Sequence, residues 1–337
     1  MSKPSPLIDR FGRQVTYLRL SVTDRCDLRC TYCMSEKMTF LPKKELLTLE
    51  ELKRLSDAFI KRGVKKIRIT GGEPLVRKGI PELLSQLGTH IGSSLDELVL
   101  TTNATQLTRF APQIANAGIK RLNVSLDSID PATFFEITRG GDLTSVLAGI
   151  DAALDVGLKI KINTVVLKHQ NAEEIPRLME WCHSKGMDIT LIEVMPLGDT
   201  GDDRFDQYVP LTKIRDSLEA AYTLRDDPRI QPNSGPSRYV DVAETGGRLG
   251  FITPLTNNFC AGCNRVRVTC TGRIYMCLGQ DDHVDLRAVM RDNPNDDAPL
   301  HAALDYALGL KPEKHDFSIK QRGQSPALSR HMSMTGG

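Results

Sequence analysis

The sequence predicts an α/β fold built as an incomplete (β/α)6 TIM-like barrel with a C-terminal extension of short antiparallel strands and helices. Three observations predict it. Six short runs rich in β-branched residues recur between Tyr17 and Val194, helical patterns lie between them, and the rhythm stops after Met195. Strand–helix alternation repeated in this way gives parallel strands joined by right-handed crossovers. Six units fall short of the eight that close the usual barrel, so the curved sheet should stay open on one side. A flat doubly wound sheet is the alternative.

The runs are "YLRLSV" (Tyr17–Val22), "KKIRIT" (Lys65–Thr70), "ELVLTT" (Glu97–Thr102), "RLNVSL" (Arg121–Leu126), "KIKINTVV" (Lys159–Val166) and "DITLIEV" (Asp188–Val194). Between the first two, "TLEELKRLSDAFIKRG" opens on Thr48 with Glu51 three residues on and stops at Gly63, a capping box and a glycine stop. "SVLAGIDAALDVG" and "AEEIPRLMEWCHSKG" also end on glycine. Beyond Met195, "PLGDTGDDRFDQYVP" and "RDDPRIQPNSGPSRY" read as long loops around one helix near Leu211–Ala221. Strands "GRLGFI" and "RVRVTCTGRIYMC" follow, the second a hairpin turning at Thr271–Gly272, then two short helices and a polar tail ending "HMSMTGG". The division expected is residues 1–230 for the partial barrel and 231–337 for the C-terminal region.

Composition excludes several classes of function. Hydrophobic residues at 40% of 337 supply a real core. Lys+Arg 44 against Asp+Glu 42 gives no electrostatic footprint for nucleic acid or a membrane surface. No run approaches a transmembrane span and the N-terminus lacks a signal-peptide core, so a soluble cytoplasmic protein is expected. Eight cysteines in that compartment argue for metal or redox chemistry rather than disulfides.

Chemistry concentrates where strands end. The first strand runs into "VTDRCDLRCTYCMSE", whose Cys26, Cys30 and Cys33 have C-x3-C-x2-C spacing. Three thiolates hold three corners of a metal centre and leave the fourth for substrate or cofactor. The next strands end "RITGGEP", "TTN" and "SLD", the fifth carries Lys161 and Asn163, and the sixth ends at Glu193 and Met195. In parallel barrels such strand ends form the active rim. Ser, Thr and Asn also end strands simply as turn formers. In "TGGEP" (Thr70–Pro74) the glycines would let a ligand approach the backbone, and Glu73 would accept from an ammonium. A plain strand-ending turn explains the same residues.

Three cysteines followed one strand later by "GGEP" resemble the radical S-adenosylmethionine superfamily. The resemblance implies a 4Fe–4S cluster on Cys26, Cys30 and Cys33 whose open iron is chelated by S-adenosyl-L-methionine, the missing fourth ligand. It implies a 5′-deoxyadenosyl radical that abstracts an inert hydrogen. A zinc ion on the same thiolates is the alternative.

A second set, Cys260, Cys263, Cys270 and Cys277, lies in "NNFCAGCNRVRVTCTGRIYMC". Four cysteines can close a zinc site. However, Cys270 abuts the turn while Cys277 lies roughly 13 Å further at ~3.3 Å per residue, which leaves Cys260, Cys263 and Cys277 as a second open trio. Arg265 and Arg267 share one strand face. Arg19, Arg68 and Lys161 sit near strand ends where buried parallel strands should be apolar, with Lys66 two before Arg68. Guanidinium groups facing a cavity imply a multiply anionic guest, phosphates above all.

Over nearly its whole length the chain resembles the GTP 3′,8-cyclase family of molybdenum cofactor (molybdopterin) biosynthesis. The likeness is carried by "VTYLRLSVTDRC", "RCTYCM", "KKIRITGGEPL", "NVSLDS", "IEVMPLG", "FCAGCNRVRVT" and the terminal "GG". It implies that Tyr32, Gly72, Ser125 and Met195 contact S-adenosyl-L-methionine, and that Arg19, Arg68, Thr101, Lys161, Arg265, Val266 and Arg267 contact GTP, with Lys66 a further candidate. It also implies a second 4Fe–4S cluster on Cys260, Cys263 and Cys277, its open iron binding the guanine, and a tail whose Gly336 and Gly337 insert toward the active site and are needed for activity. On the residues alone that tail is a frayed end. Also implied are a homodimer, an electron donor such as a flavodoxin or ferredoxin, and transfer of the product to cyclic pyranopterin monophosphate synthase. The sequence departs from the family at Asp27, where Asn is usual, and at Thr190, where a basic residue is expected; Cys270 is extra, and Cys182 reads as a buried thiol. The rivals are a peptide- or RNA-modifying member of the superfamily and a non-catalytic scaffold holding two zincs, for which His283 and His301 would be the nearest extra ligands.

Overall fold

The computed structural model describes residues 5–200, 204–227, 236–255, 260–315, 328 and 330–336. Six βα units open the chain. Strands β1 (Tyr17–Ser21), β2 (Lys66–Thr70), β3 (Glu97–Thr102), β4 (Arg121–Ser125), β5 (Lys159–Val166) and β6 (Asp188–Glu193) are separated by helices α1 (Leu49–Lys61), α2 (Ile80–Gly88), α3 (Leu107–Asn116), α4 (Pro131–Thr138), α5 (Leu143–Asp155) and α6 (Ile175–Ser184). Each strand lies within about one residue of its sequence-predicted run. The capping box forms as read: Thr48 accepts from Glu51 N, and Glu51 accepts from Thr48 N.

The six strands pair in chain order and all in parallel. A doubly wound sheet would reverse its order at a switch point; here there is no reversal. Alternation does the rest. Leu18, Leu20, Ile67, Ile69, Leu98, Leu100, Leu122, Val124, Ile160, Ile162, Ile189 and Leu191 are buried in one core with the apolar faces of the helices. Burying each such side chain contributes roughly 1.5–3 kcal/mol. The intervening residues, Tyr17 and Arg19, Lys66 and Arg68, Arg121 and Asn123, Lys159 and Lys161, turn to the concave side and line a cavity.

The remaining elements are α7 (Arg204–Gln207), α8 (Leu211–Glu219), β7 (Leu224–Asp226), β8 (Arg238–Val242), β9 (Arg248–Ile252), β10 (Arg265–Val268), β11 (Arg273–Tyr275), β12 (His283–Asp285), α9 (Leu286–Asp292), α10 (Ala298–Gly309) and α11 (Met332–Thr335). β7 and β8 overlap a stretch read as loop, and β12 lies where no strand was expected. The hairpin β10–β11 turns where predicted, with Gly272 at φ +84°. β9 adds in parallel to β6, and β10 adds in parallel to β1, so one sheet runs β12-β11-β10-β1-β2-β3-β4-β5-β6-β9-β8-β7. Among the described residues β9 and β10 do not pair with each other, and the sheet stays open. Cys260 and Cys263 lie just before β10. No described helix is long and apolar enough to cross a membrane.

Candidate functional site

The first cysteine loop leaves β1 and lies on the loop that leaves β2. A Cβ on Gly72 would stand 2.3 Å from Arg25 O, and one on Gly71 2.5 Å from Thr23 O. The two glycines therefore admit the backbone of the cysteine loop on their Cβ side. Glu73 is likewise committed: it accepts from Leu75 N and Thr102 Oγ1 at 2.9 Å each and from Asn103 N at 2.7 Å. Burial outweighs these bonds and raises its carboxyl to about 8. Within the loop, Cys33 N and Met34 N both donate to Cys30 O. Burial pushes the Cys26 and Cys30 thiols upward, and each is raised further by the nearby Cys33. Metal ligation must displace those protons. Tyr32 donates to Asp127 Oδ2 at 2.8 Å, and burial raises Asp127 to about 6. Asp27 accepts from Asn103 Nδ2 at 2.7 Å and from Thr105 Oγ1 at 2.6 Å, an acceptor role at both oxygens.

Below this loop the concave face encloses a cavity of about 1030 Å³. Eleven Lys or Arg side chains line it against four Asp or Glu, in a chain whose overall totals are nearly equal. Arg68 donates through Nε to Tyr17 Oη and through Nη1 to Thr101 Oγ1 at 3.0 Å. Burial would raise the Tyr17 phenol, but Arg68, Arg19 and Lys66 outweigh it and hold it at about 7. Arg19 and Arg267 are neighbours across β1 and β10; burial lowers both guanidinium groups, and so do the surrounding arginines. Lys66 pairs with Glu97 at 2.9 Å, and Arg121 pairs with the same carboxylate. Lys161 Nζ donates to Tyr239 Oη at 3.2 Å. It lies near the start of β5, beside Asp188 at the start of β6, rather than near a C-terminal strand end as expected. Buried Arg267 Nε, Asn123 Oδ1 and Asn163 Oδ1 have no hydrogen-bond partner among the described residues. Such groups are costly unless a ligand satisfies them.

Cys260, Cys263 and Cys277 border the same cavity, together with Met195 and Gly336. Cys270 does not: it is buried, and its carbonyl accepts from Leu47 N. Burial would raise Cys263, but Lys311, Arg265 and Arg267 outweigh it and hold the thiol at about 7. Lys311 donates to Cys263 Sγ, Arg265 O and Met276 O. Arg13 donates to Cys260 O at 2.9 Å. Of the predicted substrate residues, Val266 turns its side chain into the core beside Leu18, and Thr101 stands behind Arg68, accepting from it rather than lining the cavity. Ser125 pairs with Asn163 at the end of β4. Cys182 is buried, as expected.

The donor chemistry at each trio fits an iron–sulfur cluster, because thiol-only sets select such clusters or zinc. Among the described residues no three His, Cys, Asp or Glu side chains are placed to hold one metal ion. His283 stacks on Tyr275 and bonds Asp281 O, and His301 lies by Arg62. His315, overlooked in the sequence, is the histidine that reaches the cavity.

The tail is seated. Gly336, at φ +74°, lies so close to Thr70 that a Cβ would come within 2.1 Å of Thr70 Cγ2. Gly198 N donates to Leu328 O, and Arg330 donates to Asp281 Oδ1, Leu278 O and Gln280 O while stacking on Tyr275. Gly337 lies outside the described residues. Tyr17, Tyr239 and Lys311 were missed from sequence. The first had a signal, being polar-tipped and in phase with Arg19; the other two lie in loop-like or polar stretches that give none.

Comparison with known proteins agrees with this architecture. Residues 20–182 match the radical SAM superfamily, and residues 187–317 match Molybdenum Cofactor Synthesis C. Among solved structures, Streptococcus suis SuiB has TM-score 0.61 at 16% identity over 96% of this chain and 78% of that one; SuiB bound to S-adenosylmethionine has TM-score 0.57 at 18% identity over 88% and 69%. At such identities the likeness is one of fold. The GTP 3′,8-cyclase of Erythrobacter litoralis (strain HTCC2594) is 62% identical over 334 residues, 99% of each chain. That of Rhizobium meliloti (strain 1021) is 60% identical over 334 residues, 99% of this chain and 95% of the relative. The chain belongs to the GTP 3′,8-cyclase family of radical S-adenosylmethionine enzymes.

Proposed function

We propose that this chain converts GTP into (8S)-3′,8-cyclo-7,8-dihydroguanosine 5′-triphosphate, a step of molybdenum cofactor synthesis. One observation carries the substrate reading: a lumen with eleven cations against four acids, open to a second thiol trio. In GTP the hydrogen on C3′ leaves to the 5′-deoxyadenosyl radical, C3′ bonds to C8, and one electron from the reductant and one proton at N7 restore the hydrogen count, giving a product isomeric with its substrate. Arg19, Arg68, Lys161, Arg265 and Arg267 hold the triphosphate, Thr101 orients Arg68, and the main chain at Val266 completes the wall. Tyr32, Gly72, Ser125 and Met195 form the S-adenosyl-L-methionine site. Cys26, Cys30 and Cys33 hold one 4Fe–4S cluster; Cys260, Cys263 and Cys277 hold the other, against the guanine. When bound, the first cluster with S-adenosyl-L-methionine supplies an electron and a hydrogen-abstracting radical. Gly336 and Gly337 close the site from the tail. The enzyme works as a homodimer, draws electrons from a flavodoxin- or ferredoxin-like donor, and passes its product to cyclic pyranopterin monophosphate synthase.

The test is anaerobic reconstitution with iron and sulfide, followed by dithionite, S-adenosyl-L-methionine and GTP. The expected result is 5′-deoxyadenosine together with a cyclised isomer of GTP by mass spectrometry. Cys277→Ser should still form 5′-deoxyadenosine but no cyclised nucleotide. A wild-type protein that forms 5′-deoxyadenosine and leaves GTP intact would overturn the substrate reading.

A further inference from the structure

Lys311 stands just beyond α10 with 2% of its surface exposed. Its ammonium has three donors, and all three are used: on Arg265 O at 3.0 Å, Met276 O at 2.9 Å and Cys263 Sγ at 3.7 Å. The two carbonyls belong to the two arms of the second cysteine motif, one following Cys263 and the other immediately preceding Cys277. A buried cation is costly without a counter-charge. Arg13, its neighbour on the Cys260 side, has one, paired to buried Asp9 at 2.6 Å. Among the described residues no Asp or Glu forms a salt bridge with Lys311.

We propose that Lys311 is the fixed counter-charge and hydrogen-bond donor of the anionic centre held by Cys260, Cys263 and Cys277, and that it raises the reduction potential of that centre. This rests on the reading of that trio as the second cluster's ligands. The ammonium favours the more negative, reduced state of a thiolate-bound cluster, and hydrogen bonds to ligand sulfur act in the same direction. Its bonds to Arg265 O and Met276 O fix the spacing of the two arms, so Lys311 is a positioning residue as well as an electrostatic one.

The experiment compares the full-length reconstituted protein with its Lys311→Met and Lys311→Arg variants, without S-adenosyl-L-methionine or GTP. Iron and sulfide are counted, and each cluster is followed by EPR during a potentiometric titration. Wild type should carry two clusters. In Lys311→Met the first cluster should titrate as in wild type, while the second becomes harder to reduce. The expected fall is about tenfold in its reduced-to-oxidised ratio at fixed potential, about 59 mV for one electron. Lys311→Arg, which keeps the charge, should stay near wild type. Loss of only the second cluster in Lys311→Met, with retention in Lys311→Arg, would also support the assignment. Unchanged potentials in Lys311→Met, or equal loss of iron in both variants, would overturn it and leave Lys311 a packing residue. A wild-type protein with a single cluster would instead overturn the second-cluster reading, a result distinguishable from either.

Discussion

Arg68 shows how little of a guanidinium is left to chance in this lumen. Tyr17 Oη takes Nε and Thr101 Oγ1 takes one Nη1 hydrogen, which fixes the fork against the cavity it lines. Removing one acceptor of a buried bond costs about 1 kcal/mol. Tyr17→Phe should therefore weaken GTP binding about fivefold, read by equilibrium titration, with iron content unchanged. Glu97 makes a second prediction. Burial would raise its carboxyl, yet Arg121 and Lys66 win and hold it at about 2. A depressed carboxylate contributes stability above its unfolded value and loses it as pH falls through the folded one. Glu97→Gln should thus be less stable than wild type at pH 7. The difference should close as pH falls from about 4.5 toward 2, measured by denaturant unfolding of the apo protein. Arg19 and Arg68 were legible because charge in β-branched strands has no packing explanation, and the cysteines because of their spacing in loops. Lys311 was not, since a lysine in a polar stretch reads as solvated. Thr190, where a basic residue is expected, lies so close to Gly250 that a Cβ there would meet its Oγ1 at 2.8 Å and Tyr239 Cε1 at 2.9 Å.

The elements divide by how locally they are encoded. The βα units are written in short stretches: a β-branched run, a cap, an amphipathic face, a glycine stop. Thr48 is the cleanest case, and Thr48→Ala should cost about 1 kcal/mol in denaturant unfolding without altering activity. β7 and β12, of three residues each, carry no such signature. Nor does any local pattern announce that β9 and β10 enter the main sheet, because strand pairing is set by partners far away in sequence. The tail belongs to the same class. Its glycine was visible, but the reason for it, contact with Thr70 at positive φ, was not. Gly336→Ala should unseat α11. The expected readout is faster proteolysis of the tail at unchanged iron content, with little cyclised product.

Across the whole molecule, charge is sorted rather than abundant. A net charge of +2 on 337 residues gives little long-range attraction, whereas the lumen concentrates cations in a confined space. GTP should therefore bind more tightly than GDP, and GDP more tightly than GMP. Raising ionic strength from about 0.01 to about 1 M, which shortens the Debye length from ~30 to ~3 Å, should weaken GTP binding by about tenfold or more in the same titration. The order of the strands has another consequence, for how the chain is made. β1 pairs with β2 on one side and β10 on the other, and the contacts across that second seam span 248 residues. At roughly 5–20 residues per second of synthesis, the nascent chain leaves one edge of β1 unpaired for on the order of 12–50 s. For most of that interval Cys26, Cys30 and Cys33 have emerged while Cys260, Cys263, Cys270 and Cys277 have not. The two thiol trios thus emerge one after the other, and the unpaired edge of β1 is an exposed strand edge in the meantime.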